Sequence, residues 1–319
     1  MRWRPLGLLA LLLVFAAIAY YTLESKGTQS GSDANRLFHA EEKDVETIAI
    51  RKGEALIALK REGNGWRLTE PVQAAADSTE VTSLLHTLLE AGEERRIEEA
   101  PRNLADYGLE HPSLHLSVTL KGGNTLPALL LGDLNPNGRS VYAKRPDQSA
   151  VFLVTVIVRV RADRKPDDFR DKTLLALEPN QVTQVTLIGK GQPIGLSKSD
   201  TQGWEIRKPI TAKADAAVIG KLLWKIKDTR VDAFLDSGPD AKRRYGLERP
   251  DLIVELNDGG GVKRLLLKKP ADPQVGLYAM AEPGAGVVAL DADLLTDLSK
   301  SPSDLVDRST RKDHTTTGQ

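Results

Sequence analysis

Hydrophobic positions along this chain follow three patterns in turn. Residues 6–23, LGLLALLLVFAAIAYYTL, form an unbroken apolar run without a charge. Residues 25–35, SKGTQSGSDAN, are small and polar, the composition of a flexible connector. Beyond them apolar residues recur at two periods. Val81, Leu84, Leu85, Leu88 and Leu89 fall at i, i+3, i+4, i+7 and i+8, one face of an amphipathic helix. Asp77, just ahead of them, can cap the free N–H groups of the first turn, and Glu80 stands at the capping-box position. Residues 47–50, 55–60, 114–120, 126–131, 140–144 and 151–154 have the length and side-chain character of strands. Asn135-Pro136-Asn137-Gly138 marks a turn between two of them.

The whole pattern then occurs a second time. Gly65-Trp66 matches Gly203-Trp204, Pro71 matches Pro209, Asp77 matches Asp215, and Leu84-Leu85 matches Leu222-Leu223, all 138 positions apart. Tyr107-Gly108-Leu109-Glu110 and Pro112 match Tyr245-Gly246-Leu247-Glu248 and Pro250 at the same offset. After a two-residue loss the offset becomes 136, pairing Leu129-Leu130-Leu131 with Leu265-Leu266-Leu267 and Tyr142-Ala143 with Tyr278-Ala279. The second helix keeps its cap in Asp215 and its stripe in Ile219, Leu222, Leu223 and Ile226, with Val218 in place of Glu80. In each copy the Tyr-Gly-Leu element reads as a helix stop, glycine supplying the left-handed conformation and the following proline forbidding more helix.

These signals predict an α+β fold: a tandem duplication of a unit with an antiparallel sheet and one main amphipathic helix, after an N-terminal transmembrane helix. The expected divisions are a cytoplasmic stub and signal-anchor at 1–24, a linker at 25–44, repeat units at 45–175 and 182–309, and a disordered tail at 310–319. A helix over residues 6–23 rises about 27 Å, close to a hydrocarbon core of about 30 Å. Trp3 and the pair Tyr20-Tyr21 suit the two headgroup zones, and Arg2 and Arg4 predict a cytoplasmic N-terminus. Ala17-Ile18-Ala19 also fits a signal-peptidase site, so a cleaved leader is the competing reading. Either way the body of the chain is expected on the outer, extracytoplasmic side of the cell inner membrane, with the bilayer as partner of residues 6–23.

Composition narrows the function classes. Lys+Arg and Asp+Glu are equal at 44 each, so there is no basic excess of the kind that phosphate neutralisation demands, and a nucleic-acid partner is not expected. With no cysteine, thiolate nucleophiles, disulfides and cysteine-ligated metals are excluded.

The W-x-[L/I]-x-x-P stretch, the Asp-capped helix, Y-G-L-x-x-P, L-L-L-G with V-Y-A, and the closing Phe169-Arg170-Asp171-Lys172 together resemble a bacterial family called domain of unknown function 4340. Both copies carry the pattern. The second departs from it with Lys268 in place of Gly132 and with Leu305-Val306-Asp307-Arg308 at its close. The resemblance implies a membrane-anchored extracytoplasmic protein, often encoded near gliding-motility-type ABC transport systems, and brings no catalytic residue with it.

Candidate chemistry is sparse. His111 and His115 have an i, i+4 spacing, but they flank Pro112 in an extended segment, where they would lie about 13 Å apart. His39, His86 and His314 stand apart from them in sequence. Asp77 and Asp215 are explained as caps, and Asp171 and Asp307 as ion pairs or second caps. Gly259-Gly260-Gly261 reads as a hairpin loop. No nucleotide, hydrolase or zinc-protease motif occurs. Hence no catalytic, cofactor-binding or metal-binding residue is predicted, and no cofactor. Trp66 and Trp204 could stack on sugars or face a partner, though core packing suits their position better. Trp224, off the main stripe and replaced by His86 in the first copy, is the candidate partner-facing residue. The expected function is that of a membrane-tethered extracytoplasmic accessory or binding protein, an auxiliary of an ABC-type transport or envelope complex with an envelope protein as partner. The alternative is an extracytoplasmic enzyme or carbohydrate-binding module acting on cell-envelope polymers, working through groups such as Asp171 and Asp307.

Overall fold

The computed structural model describes residues 35–272, 276–284 and 286–308. The expected transmembrane segment and the expected tail at 310–319 lie outside the described residues. Among the described residues, no helix is long and apolar enough to cross a membrane. The chain divides into two compact units between Asp171 and Lys172.

In the first unit, β1 (Val45–Lys52), β2 (Ala55–Glu62), β3 (Gly65–Glu70) and the two-residue β4 (Ala74–Ala75) run as a meander. Helix α1 (Ser78–Glu90) follows, then β5 (Arg95–Glu98) and a 3-10 turn at Leu104–Tyr107. β6 (Leu114–Leu120), β7 (Leu129–Leu134), β8 (Ser140–Lys144) and β9 (Val151–Thr155) complete the sheet, and α2 (Val156–Ala162) leads out of it. The strand order is β4-β3-β2-β1-β6-β7-β8-β9-β5, antiparallel throughout.

Register carries the core across the strands. Ile48 stands opposite Leu59 and Val118, and Ile50 opposite Ile57 and Leu116, so alternate positions deliver one apolar row to one face. The α1 stripe of Val81, Leu84, Leu85 and Leu88 is buried against this row. Each such side chain contributes about 1.5–3 kcal/mol by leaving water.

The second unit repeats the plan. Its strands are β10 (Gln184–Ile188), β11 (Ile194–Ser199), β12 (Gly203–Lys208), β13 (Ala212–Lys213), β14 (Ala233–Asp236), β15 (Leu252–Asn257), β16 (Val262–Lys268), β17 (Leu277–Glu282) and β18 (Val287–Leu290). The order β13-β12-β11-β10-β15-β16-β17-β18-β14 is that of the first unit. Helix α3 (Ala216–Asp228) corresponds to α1, a short α4 (Ala241–Arg244) replaces the 3-10 turn, and α5 (Asp293–Leu298) corresponds to α2. A single turn, α6 (Pro302–Leu305), ends the described chain. Leu265 and Leu267 face the main core, whereas Leu266 joins Ala241, Leu247, Met280 and Val287 on the opposite face. That two-sided burial accounts for the unbroken Leu-Leu-Leu run.

Caps and stops stand where the sequence places them. Asp77 accepts from Thr79 N at 3.0 Å and Glu80 N at 3.3 Å; Asp215 accepts from Ala217 N at 2.9 Å and Val218 N at 3.2 Å. Gly108 and Gly246 have φ of 65° and 70°, and the N–H groups of Leu109 and Leu247 bond back to Leu104 O and Lys242 O.

Several expectations need correction. Among the described residues, nine strands and one main helix make each unit mostly β, because short strands absent from the alternating pattern extend both edges of the sheet. Glu80 does not complete a capping box; its carboxylate accepts from Arg164 at 2.8 Å, a stronger charged donor than a backbone amide. Part of the stretch expected as linker over 25–44 belongs to the first unit, since Leu37 and Phe38 are buried in its core and Leu37 N bonds Ala91 O at 2.9 Å. Leu174, Leu175 and Leu177 are buried in the second core, so that unit starts before the expected residue 182 and the first ends before 175.

Gly132 shows why one copy demands glycine. A Cβ there would lie 2.1 Å from Tyr107 O and 2.9 Å from Leu109 Cγ. The turn carrying Tyr107 therefore packs directly on β7, with the Tyr107 ring edge-on to Tyr142 at 5.0 Å.

Replacing Asp77 or Asp215 by alanine is expected to destabilise the unit that contains it by about 1 kcal/mol, read from its own denaturant transition. Gly132→Ala should destabilise the first unit by about 1–3 kcal/mol. By contrast Gly220→Ala in α3, where an added Cβ meets nothing within 4 Å, should stabilise the second by about 0.5–1 kcal/mol. The same sign for both glycine changes would contradict the packing described.

Candidate functional site

Within the second unit, one end of the layer between sheet and helices is open. The β10–β11 hairpin forms one wall with Leu187, residues 189–192 and Ile194. Asp251 and Leu252 at the start of β15, and Lys268 at the end of β16 with residues 269–271 after it, form the next. Leu295 of α5 and residues 299–302 with Asp304 close the third side. Together they enclose a cleft of about 1020 Å³. Its floor is core: Leu187, Ile194 and Leu252 are buried residues of the main cluster, with Leu295 packed against them.

The polar groups at the rim are unevenly engaged. Lys268 Nζ meets Asp251 Oδ1 at 3.3 Å, and Asp251 Oδ2 accepts from Lys269 N at 2.9 Å. Asp304 accepts from Ser301 Oγ at 2.6 Å and Ser301 N at 2.9 Å. The Ser301 hydroxyl, and after it the Ser301 amide, hold the Asp304 carboxyl below the usual aspartate range, so it stays anionic and committed to its own turn. Lys190, Lys269 and Lys300 form no ion pair among the described residues, and both Lys190 and Lys269 are exposed.

The first unit carries charged, mutually bonded side chains at the same place. Strand pairing sets Ile50–Ile57 against Leu187–Ile194, which makes Gly189 the counterpart of Lys52. The 136-residue offset makes Leu295 the counterpart of Arg159 and Ser299 that of Asp163. Arg159 donates to Gly132 O at 3.0 Å, and Lys52 meets Asp163 at 2.6 Å. All three side chains are missing from the second unit, where leucine, serine and glycine stand instead. Lys268 and Lys269 replace Gly132 and Asp133, which turns the local charge positive.

Other residues singled out in the sequence lie elsewhere. Trp224 is 44% exposed on α3, with Lys227 Nζ 5.1 Å from its ring centre, and it does not line the cleft. Trp66 and Trp204 are buried in their cores, Arg61 lying over Trp66 at 4.5 Å. Asp307 pairs with Lys213 at 3.1 Å, and the backbone N–H groups of Asp171 and Asp307 bond Ala75 O and Lys213 O. His115 is an exposed residue of β6 and His111 precedes that strand; among the described residues no cluster of three metal-ligating side chains forms. Asp258, in the hairpin carrying residues 259–261, accepts from Lys263 and from Gly260 N, and Lys263 first of all lowers its pKa.

Sequence reasoning missed the cleft itself, although it marked the difference between Gly132 and Lys268. The differences at 52/189, 159/295 and 163/299 were legible only with knowledge that three distant segments converge.

No curated protein and no solved structure matches the chain. A family model, the domain of unknown function DUF4340, matches residues 66–242 and again residues 204–312. The two matches begin at Trp66 and Trp204, the same 138-residue offset that relates the two units. By these matches and by its duplicated fold, the chain belongs to the DUF4340 family.

Proposed function

We propose that this chain is a membrane-tethered extracytoplasmic accessory protein that binds a ligand in the cleft of its second unit and serves a transport or envelope complex. The observation that carries the reading is the contrast between the copies. One fold appears twice; Arg159 and the Lys52–Asp163 pair bond across positions in the first unit whose counterparts line a cleft in the second. A concave, largely apolar site with a few convergent polar groups is the usual form of a small-molecule site.

The tether rests on the sequence: the uncharged run at residues 6–23, with Arg2 and Arg4 before it. Trp224 supports a protein partner, because a large aromatic side chain nearly half exposed is a common anchor of protein interfaces. An enzyme acting on envelope polymers would need carboxylates available to a substrate. The two in the cleft, Asp251 and Asp304, are already held by Lys268 with Lys269 N and by Ser301.

A photoreactive side chain placed at position 224 should form one defined protein adduct in intact cells. Its yield should fall about tenfold or more when residues 1–24 are replaced by a cleavable secretion signal, since tethering raises effective concentration. In untagged competition, Trp224→Ala should weaken association by about tenfold or more. An adduct indifferent to loss of the anchor, or a body digested only from the cytoplasmic side in protease-protection assays, would contradict the proposal.

A further inference from the structure

Resting on the cleft being a binding site, we infer that it takes an amphiphile with an aliphatic body and an anionic head, a carboxylate or phosphate monoester. The floor, made of Leu187, Ile194, Leu252 and Leu295, offers hydrocarbon and no polar group to satisfy. A ligand body placed there must itself be apolar. The cleft volume of about 1020 Å³ lies at the top of the range for small-molecule pockets, about 300–1,000 Å³, and suits a long ligand.

The rim decides the sign of the head. Four lysines line the cleft against two aspartates, and both aspartates are engaged, so the available charge is that of Lys190, Lys269 and Lys300. Ammonium groups on flexible stems act as point charges and can follow a head group of either anionic kind. A cationic head would meet Lys190 and Lys269, which form no ion pair among the described residues, and Lys300, whose charge is only partly offset by Asp297 and Asp304. The first unit has neither feature: Arg159 and the Lys52–Asp163 pair stand over the corresponding floor, and Asp133 replaces Lys269.

The test is direct binding, by calorimetry below the micelle concentration, of three amphiphiles with one chain length. Dodecanoate and dodecyl phosphate should each bind once per chain, and whichever binds tighter identifies the head. Dodecyltrimethylammonium should bind at least about tenfold more weakly. Lys269→Gln with Lys300→Gln should weaken both anions about tenfold and leave the cation unchanged or tighter. Leu295→Trp, which fills the cleft without charge, and Leu295→Arg, which restores the first unit's residue, should abolish binding while thermal unfolding stays cooperative. If Leu295→Trp abolishes binding but anion and cation bind equally, the ligand class is wrong and the cleft reading survives. Binding that ignores both Leu295 variants places the ligand elsewhere and overturns the site itself. Absence of binding by all three amphiphiles overturns the inference.

Discussion

In each unit the N-cap aspartate of the main helix is the point where the helix start meets the unit's last segment. The Asp77 carboxylate accepts from first-turn amides of α1, while its own backbone N–H donates to Phe169 O at 2.8 Å, 92 residues on. On either side, Ala76 bridges Arg170 and Asp171 N bonds Ala75 O at 2.9 Å. The second unit repeats the arrangement with Asp215 N on Leu305 O, Ala214 bridging Val306, and Asp307 N on Lys213 O. One residue therefore joins the start of the helix, the short edge strand and the last segment of the unit. Buried ends of elements must find partners for their backbone groups, and here they find each other. The same bracket seats Phe169 and Leu305 in their cores and fixes the segment just ahead of Leu305, residues 299–304, that walls the cleft.

What the sequence revealed and what it hid divide along physical lines. Helix stripes, caps and glycine stops are local, because each depends on side chains within a few residues of one another, and they stand as the pattern predicts. The edge strands β4, β5, β13 and β14 are two to four residues long, mostly without buried side chains, so no alternation announces them. Their place is set by backbone pairing with β3, β9, β12 and β18. Phe38 was hidden differently. With Leu37 it makes an isolated apolar pair in a stretch that reads as linker, yet it is buried, and the Arg145 guanidinium sits 5.9 Å from its ring centre. Glu80 looked like a capping partner until the fold brought Arg164 to it.

The cleft shows how a duplicated fold can diverge in one place without losing its core. In the first unit the place carries charged side chains at the surface, half exposed and worth little to stability individually. Exchanging Lys52, Arg159 and Asp163 for their counterparts removes those bonds but leaves the apolar row in place. Ile50, Ile57 and Leu114 in the first unit correspond to Leu187, Ile194 and Leu252 in the second, and all six are buried. Exchanging the three surface side chains is thus a change where changes cost little, unlike the replacement of Gly132.

Lys268 links that opening to the rest of the second unit. In the first unit, Gly132 lets the Tyr107 turn lie directly on β7, and its carbonyl receives Arg159. A side chain at that position cannot coexist with so close a turn, so the second unit must hold residues 245–247 farther from β16. A Cβ on Gly246 would be 3.7 Å from Lys268 Cε, in ordinary contact with the lysine stem. The tyrosine pair survives the shift, Tyr245 meeting Tyr278 edge-on at 4.9 Å. The lysine stem fills the gap left by the displaced turn, while its ammonium reaches Asp251 at the rim. One substitution thus ends the close packing that demanded glycine, occupies the carboxylate of Asp251, and leaves the remaining rim positive. The relaxed turn follows from the change in β16, and the positive rim from that change together with Lys190, Lys269 and Lys300 around it.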